Sequence, residues 1–115
     1  LLLTGAWLQR RGVRCLDERL RALRDVAVPW QREVVSPLRQ LRRDWRSAAG
    51  QDAAMASLRE QVKQLELHSE RVLLERLQAL AEPWPSEAGD HDWLTHLGRQ
   101  DSAALHVLRG AMAQP

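Results

Sequence analysis

The sequence predicts an all-α protein, an irregular bundle of about five helices built round a long antiparallel helical hairpin. Three observations predict it. Apolar residues recur at spacings of three and four, and no stretch sustains the alternation of a half-buried strand. No Asn-Gly or Asp-Gly turn is present. Glycines, prolines and capping residues divide the chain into helix-sized pieces. With 115 residues the chain is expected to form one domain, residues 1–115, with enough mass for a core and no room for a second.

The first helix runs from Leu1 to about Arg11, apolar on most sides, and stops at Gly12, a residue suited to a left-handed cap. Asp17 opens a second helix carrying Leu20, Leu23 and Ala27 on one face. Pro29 suits the first turn of a third helix. Its apolar positions Trp30, Val34, Leu38, Leu41 and Trp45 are spaced 4, 4, 3 and 4. On an unbroken α-helix they fall inside an arc of roughly 80°. Pro37 sits within that pattern and is expected to bend the helix.

Residues 47–52 (SAAGQD) read as a turn, with Gly50 as breaker and Asp52 as the next cap. The fourth helix, about Ala53 to Ala81, is the longest. Met55, Leu58, Val62, Leu65, Val72, Leu73, Leu77 and Leu80 form its main stripe, and Leu67 and Leu74 lie on about the opposite side. Residues 82–90 (EPWPSEAGD) form a Pro-rich loop around Trp84. Residues 91–115 form a C-terminal helical region in two pieces, one ending near Gly98 and one starting at the Asp101-Ser102 cap. Short links favour antiparallel packing of the third and fourth helices.

The formal charge of +2 hides a polarity. Residues 1–46 hold eleven arginines against five acids, a net of +6, and residues 47–115 hold six bases against ten acids, a net of −4. Mutual neutralisation within the fold is the simpler explanation, an acidic partner the other. On the wheel of the third helix Arg32, Arg39, Arg42, Arg43 and Arg46 occupy an arc of about 100° opposite the tryptophan stripe. They form a possible anion or acidic-partner face spread over roughly 21 Å of axis at 1.5 Å per residue. Phosphates could track along it. Trp30 and Trp45 lie on the core side, so they do not interleave with the arginines as stacking platforms. Glu60, Glu66, Glu70 and Glu75 on the fourth helix can neutralise part of the face. The packing reading is favoured.

Chemistry-bearing motifs are sparse, so neither a catalytic set nor a cofactor is expected. No Gly-rich phosphate loop and no Gly-x-Ser-x-Gly elbow occurs. His91, Asp92 and His96 lie close in sequence, but the paired carboxylate/histidine motifs of a di-metal bundle are missing, and no metal is expected. Cys15 reads as a small buried thiol, although Arg14 and the following helix start could lower its pKa. A lone cysteine suits a reducing cytoplasm. No apolar run approaches the roughly 20 residues that span a bilayer. Arg76, in the middle of an apolar stripe, is expected to snorkel past its neighbours. Leu67, Leu74 and Trp84 are the candidate hydrophobic contact surface.

At LLLTGAWLQRRG, VPWQREVVSPLRQLRRDWR and LREQVKQLELHSERVLLERL the chain resembles an all-helical proteobacterial family of conserved hypothetical proteins, a domain of unknown function. The likeness rests on Leu1-Leu2-Leu3, Trp7-Leu8, Gly12, Trp30, Val34-Val35, Pro37-Leu38-Arg39, Leu41-Arg42, Leu58-Arg59, Val62-Lys63 and Glu66, and covers about residues 1–80. It implies a small cytoplasmic bacterial protein with a further helical segment before the triple leucine, and it carries over no catalytic residues. A first residue other than Met leads to the same expectation of sequence ahead of Leu1. The function expected is a non-enzymatic protein–protein interaction or small regulatory role, with self-association as one form. The alternative is a nucleic-acid-associated protein using the arginine face.

Overall fold

A computed structural model describes residues 1–98. Their architecture is all-α, in the order α1 (Leu2–Arg11), α2 (Asp17–Trp30), a π-helical turn (Gln31–Val35), α3 (Ser36–Asp44), α4 (Arg46–Ala49), α5 (Ala53–Ala81) and α6 (Trp93–Leu97). Among the described residues no strand forms, and one isolated bridge joins Val13 to Ser86. The second C-terminal piece, starting at Asp101-Ser102, lies outside the described residues. Packing divides the described residues into two compact units, residues 1–25 with 77–98, and Val26–Arg76. The chain passes from one to the other within α2 and returns within α5.

In the first unit, Gly12 ends α1 as its spacing predicts. At φ 69° it donates to the Gln9 carbonyl, and Val13 donates to that of Leu8 at 3.1 Å, the double bond of a Schellman cap. Leu8 and Val13 are fully buried beside Leu23, Leu77, Trp93 and Leu94. Gly5 lets α6 approach α1 closely, since a Cβ there would stand 2.6 Å from Cδ1 of Leu97. The indole of Trp93 donates to the Val13 carbonyl at 2.7 Å, and its ring stacks on Trp84 at 6.0 Å between centroids. The guanidinium of Arg19 lies over Trp84 on 5.4 Å.

The second unit is the expected antiparallel hairpin. The rod made of the end of α2, the π turn and α3 runs against α5, so that Trp30 meets Ser69 and Arg76 while Arg42 meets Arg59 and Glu66. Asp52 caps α5 as predicted, its carboxylate accepting from the Ala54 amide at 2.9 Å. The stretch before it is less of a turn than expected, because Arg46–Ala49 makes one more helical turn before Gly50.

Two expectations for the rod are corrected. Pro29 lies inside α2 instead of opening a new helix. Its missing N–H leaves the Asp25 carbonyl without its helical donor, at an exposed residue of the helix. The distortion appears later, at Gln31–Val35, where the Ser36 amide donates to the Gln31 carbonyl, five residues back. This wide turn sits directly before Pro37, whose ring would otherwise crowd the Glu33 carbonyl.

The π turn changes which residues face α5. It inserts one residue, and each residue is about 100° of helix. The buried line Leu20, Leu23, Ala27 therefore continues to Val35 and not to Val34. Val34, Leu38, Leu41 and Trp45 are left half-buried. On α5 the buried residues are Val62, Glu66, Ser69, Leu73, Leu77 and Ala81, whereas Leu58 and Leu65, expected in the main stripe, are exposed.

Candidate functional site

The hairpin carries the polar cluster on which function was expected to turn. The five arginines do not share one solvent face. Arg32, Arg43 and Arg46 are exposed, but Arg39 and Arg42 are half-buried and turned toward α5. The cause is the inserted residue of the π turn, which rotates everything after it relative to the wheel of an unbroken helix.

Arg39 and Arg42 converge on Glu66, which is only 6% exposed. Nε of Arg42 donates to Oε2 at 2.6 Å, and Nε of Arg39 donates to Oε1 at 3.1 Å. Arg39 also reaches Glu70 through Nη2 at 2.9 Å. Arg59 donates from Nε to the Arg42 carbonyl at 2.8 Å, and the Ser69 hydroxyl donates to the Glu66 carbonyl at 2.7 Å. The hydrogen bond from Arg42, with that from Arg39 behind it, holds the Glu66 carboxyl below the usual range for glutamate. Glu66 in turn raises both guanidinium groups. Of the four acids expected to offset the arginine face, Glu66 and Glu70 do so. Arg39, Arg42 and Arg59 thus each donate to an acceptor within the hairpin.

Around α5, at about 100° per residue, Glu66 and Glu70 lie on one side of the Val62–Ser69–Leu73 line. Leu58, Leu65 and Val72 lie on the other, seven residues apart. Trp30 crosses on this second side, its indole donating to the Ser69 carbonyl at 2.9 Å and its ring lying 4.5 Å from the guanidinium of Arg76. Arg76 is thus exposed and stacked, in keeping with a snorkelling side chain. Beyond Trp30 the apolar flank is open: Leu58 is 46% and Leu65 54% exposed. A shallow depression there is lined by Glu60, Gln61, Gln64, Leu65 and His68.

The predicted contact residues fare unequally. Leu67 is 45% exposed, on the far side of α5 from Leu65. Leu74 is half-buried, so only part of its side chain is presented. Trp84 is in the first unit, half-buried between Trp93 and Arg19, and serves packing there. Sequence reasoning missed Leu58 and Leu65 as surface residues because both fit the periodic stripe. The signal that could have displaced them is the parallel set Val62, Glu66, Ser69, Leu73, in which a carboxylate and a hydroxyl occupy core positions.

Outside the hairpin, Cys15 and His96 lie in the first unit. Cys15 is only partly buried, and its thiol is pushed up to about 11, by that burial first and then by Asp90, Asp17 and Asp92. The arginine that lowers it is Arg24 and not the expected Arg14, and burial together with these carboxylates outweighs it. His96 pairs with Asp90 at 2.8 Å. Among the described residues no group of three His, Cys, Asp or Glu could hold a metal ion, and no helix is long and apolar enough to cross a membrane. No curated protein and no solved structure matches the chain. The family described as "Protein of unknown function (DUF2390)" matches residues 1–77, which hold the whole hairpin with Glu66 and its two arginines, and the chain belongs to that family.

Proposed function

We propose that this is a non-enzymatic interaction protein whose working surface is the open apolar flank of α5. One observation carries the reading: Leu58 and Leu65, two turns apart on one side of a helix, are about half exposed beside a half-buried Val72. Large aliphatic side chains repeated at that spacing fit the apolar face of a partner helix. Leu67 offers a second, smaller point of attachment on the opposite side. Two further facts support a role without catalysis. The convergent polar groups satisfy one another, and the one thiol is held far from the range of a nucleophilic thiolate. The reading includes a cytoplasmic, proteobacterial setting, supported by the single cysteine and by the family resemblance.

The test compares the protein with its Leu58→Asp/Leu65→Asp variant by light scattering and by co-purification from the native host. Both positions are exposed, so the variant is expected to keep its helicity while losing its dimer or co-purifying protein. Leu67→Asp, measured alongside, assigns the opposite edge. If the folded double variant keeps the same mass and the same companions, the flank is not the working surface. The nucleic-acid alternative is disfavoured by the ion pairs of Arg39 and Arg42, which withdraw two of its five proposed phosphate contacts.

A further inference from the structure

The rod and α5 disagree in a way that points to a conformational device. The apolar line Trp30, Val34, Leu38, Leu41, Trp45 has the spacing of a seam, yet none of its members is buried. The seam is occupied by Val35, with Arg39 and Arg42 turned inward beside it. The two sets differ by one residue, the residue that the π turn inserts. We propose that the rod, residues 26–44, can pack against α5 in two registers one residue apart, and that Pro37 and Glu66 together select the one seen.

Each selector has a physical basis. Without the π turn, the ring of Pro37 would collide with the Glu33 carbonyl, so proline favours the wide turn that precedes it. With Leu38 and Leu41 in the seam, Glu66 would be a buried carboxylate stripped of both arginines, a strongly unfavourable state. Against these stands the apolar line, which gains burial in the second register. The register also decides what the surface displays. In the one seen Arg39 and Arg42 are neutralised; in the other they join Arg32, Arg43 and Arg46 on one outward arc. The short helical turn Arg46–Ala49 and Gly50 lie between the rod and α5, where the rotation would be absorbed.

The test uses the full chain with Cys15→Ser, so that a single engineered thiol is read at Val35→Cys or at Leu41→Cys. Alkylation rates are followed by mass spectrometry, with and without the pair Pro37→Ala/Glu66→Leu. In the starting background the thiol at 35 is slow and that at 41 fast. In the Pro37→Ala/Glu66→Leu background the order inverts, the first rising and the second falling by about tenfold each. Opposite changes distinguish a register exchange from loosening, which would accelerate both. Rates that rise together, or that stay as they were in a folded variant, overturn the proposal. Should the paired substitution prevent folding, Pro37→Ala alone gives the reading, with the same opposed directions expected and unchanged rates overturning it.

Discussion

Glu66 concentrates the hairpin's electrostatics in one side chain. Its carboxylate accepts from two arginines while 6% exposed, so its folded-state pKa lies below the unfolded value. A carboxyl depressed by folding contributes stability above its unfolded pKa of about 4.3, and that contribution disappears as pH falls through the lower folded value. Acid unfolding of the hairpin should therefore steepen below about pH 4. Glu66→Gln should remove that acid-sensitive component and lower stability at neutral pH by about 1–3 kcal/mol, since hydrogen bonds to a charged acceptor become weaker neutral ones. Urea titrations at pH 7 and pH 3 measure both, and equal losses for the two proteins between those pH values would show that Glu66 is already protonated or unpaired. The sequence offered Glu66 as one of four acids able to offset the arginines, but nothing local announced its burial. Glu66 sits among Gln64, Leu65 and Leu67, where a carboxylate reads as solvent-facing, and its burial follows only from how the rod is rotated.

The elements whose ends are written in their own residues were legible, and those shaped by packing were not. Gly12 closes α1, Asp52 opens α5, and α5 runs from Ala53 to Ala81 as its helix-forming composition implies. These signals are local backbone requirements, which no distant contact needs to supply. The π turn is different, because it reconciles two prolines and an apolar line on the rod with a buried acid on α5. The end of α5 was equally hidden. Arg11, at the last turn of α1, donates to the carbonyls of Ala81, Glu82 and Trp84, the last at 2.9 Å, with its guanidinium 4.8 Å from the ring centre of Trp7. A forked cation satisfying the orphan carbonyls of a helix terminus does what a local cap does elsewhere. Arg11→Ala should leave α1 in place and fray the end of α5. Amide exchange at Glu82 and Trp84, which donate to Gln78 and Ala81, should quicken by about tenfold while amides near Leu73 keep their protection. Uniform quickening along α5 would mean that Arg11 supports the packing of its unit and not the helix end.

At the scale of the molecule, the two readings of function make different demands on salt. Each phosphate neutralised by a protein cation contributes about −0.9 to the slope of log K against log salt on duplex DNA. An unbroken arginine face would offer five such contacts from the rod. The folded hairpin offers fewer, because Arg39 and Arg42 are committed to Glu66 and Glu70, and Arg32 lies 3.3 Å from Glu33. Arg32's exposed pair is weak enough for a phosphate to displace. The buried acceptor of Arg42 is not, since freeing the arginine would strand Glu66. Any duplex binding measured by fluorescence anisotropy should therefore keep its salt slope when Arg39 and Arg42 are replaced by Gln. It should flatten by about 0.9 per residue when Arg32, Arg43 and Arg46 are replaced. A slope that flattens by about 2 in the Arg39→Gln/Arg42→Gln variant would mean that both guanidinium groups reach phosphate. The ion pairs would then not persist in the bound protein, and the nucleic-acid reading would displace the apolar flank of α5 as the account of function.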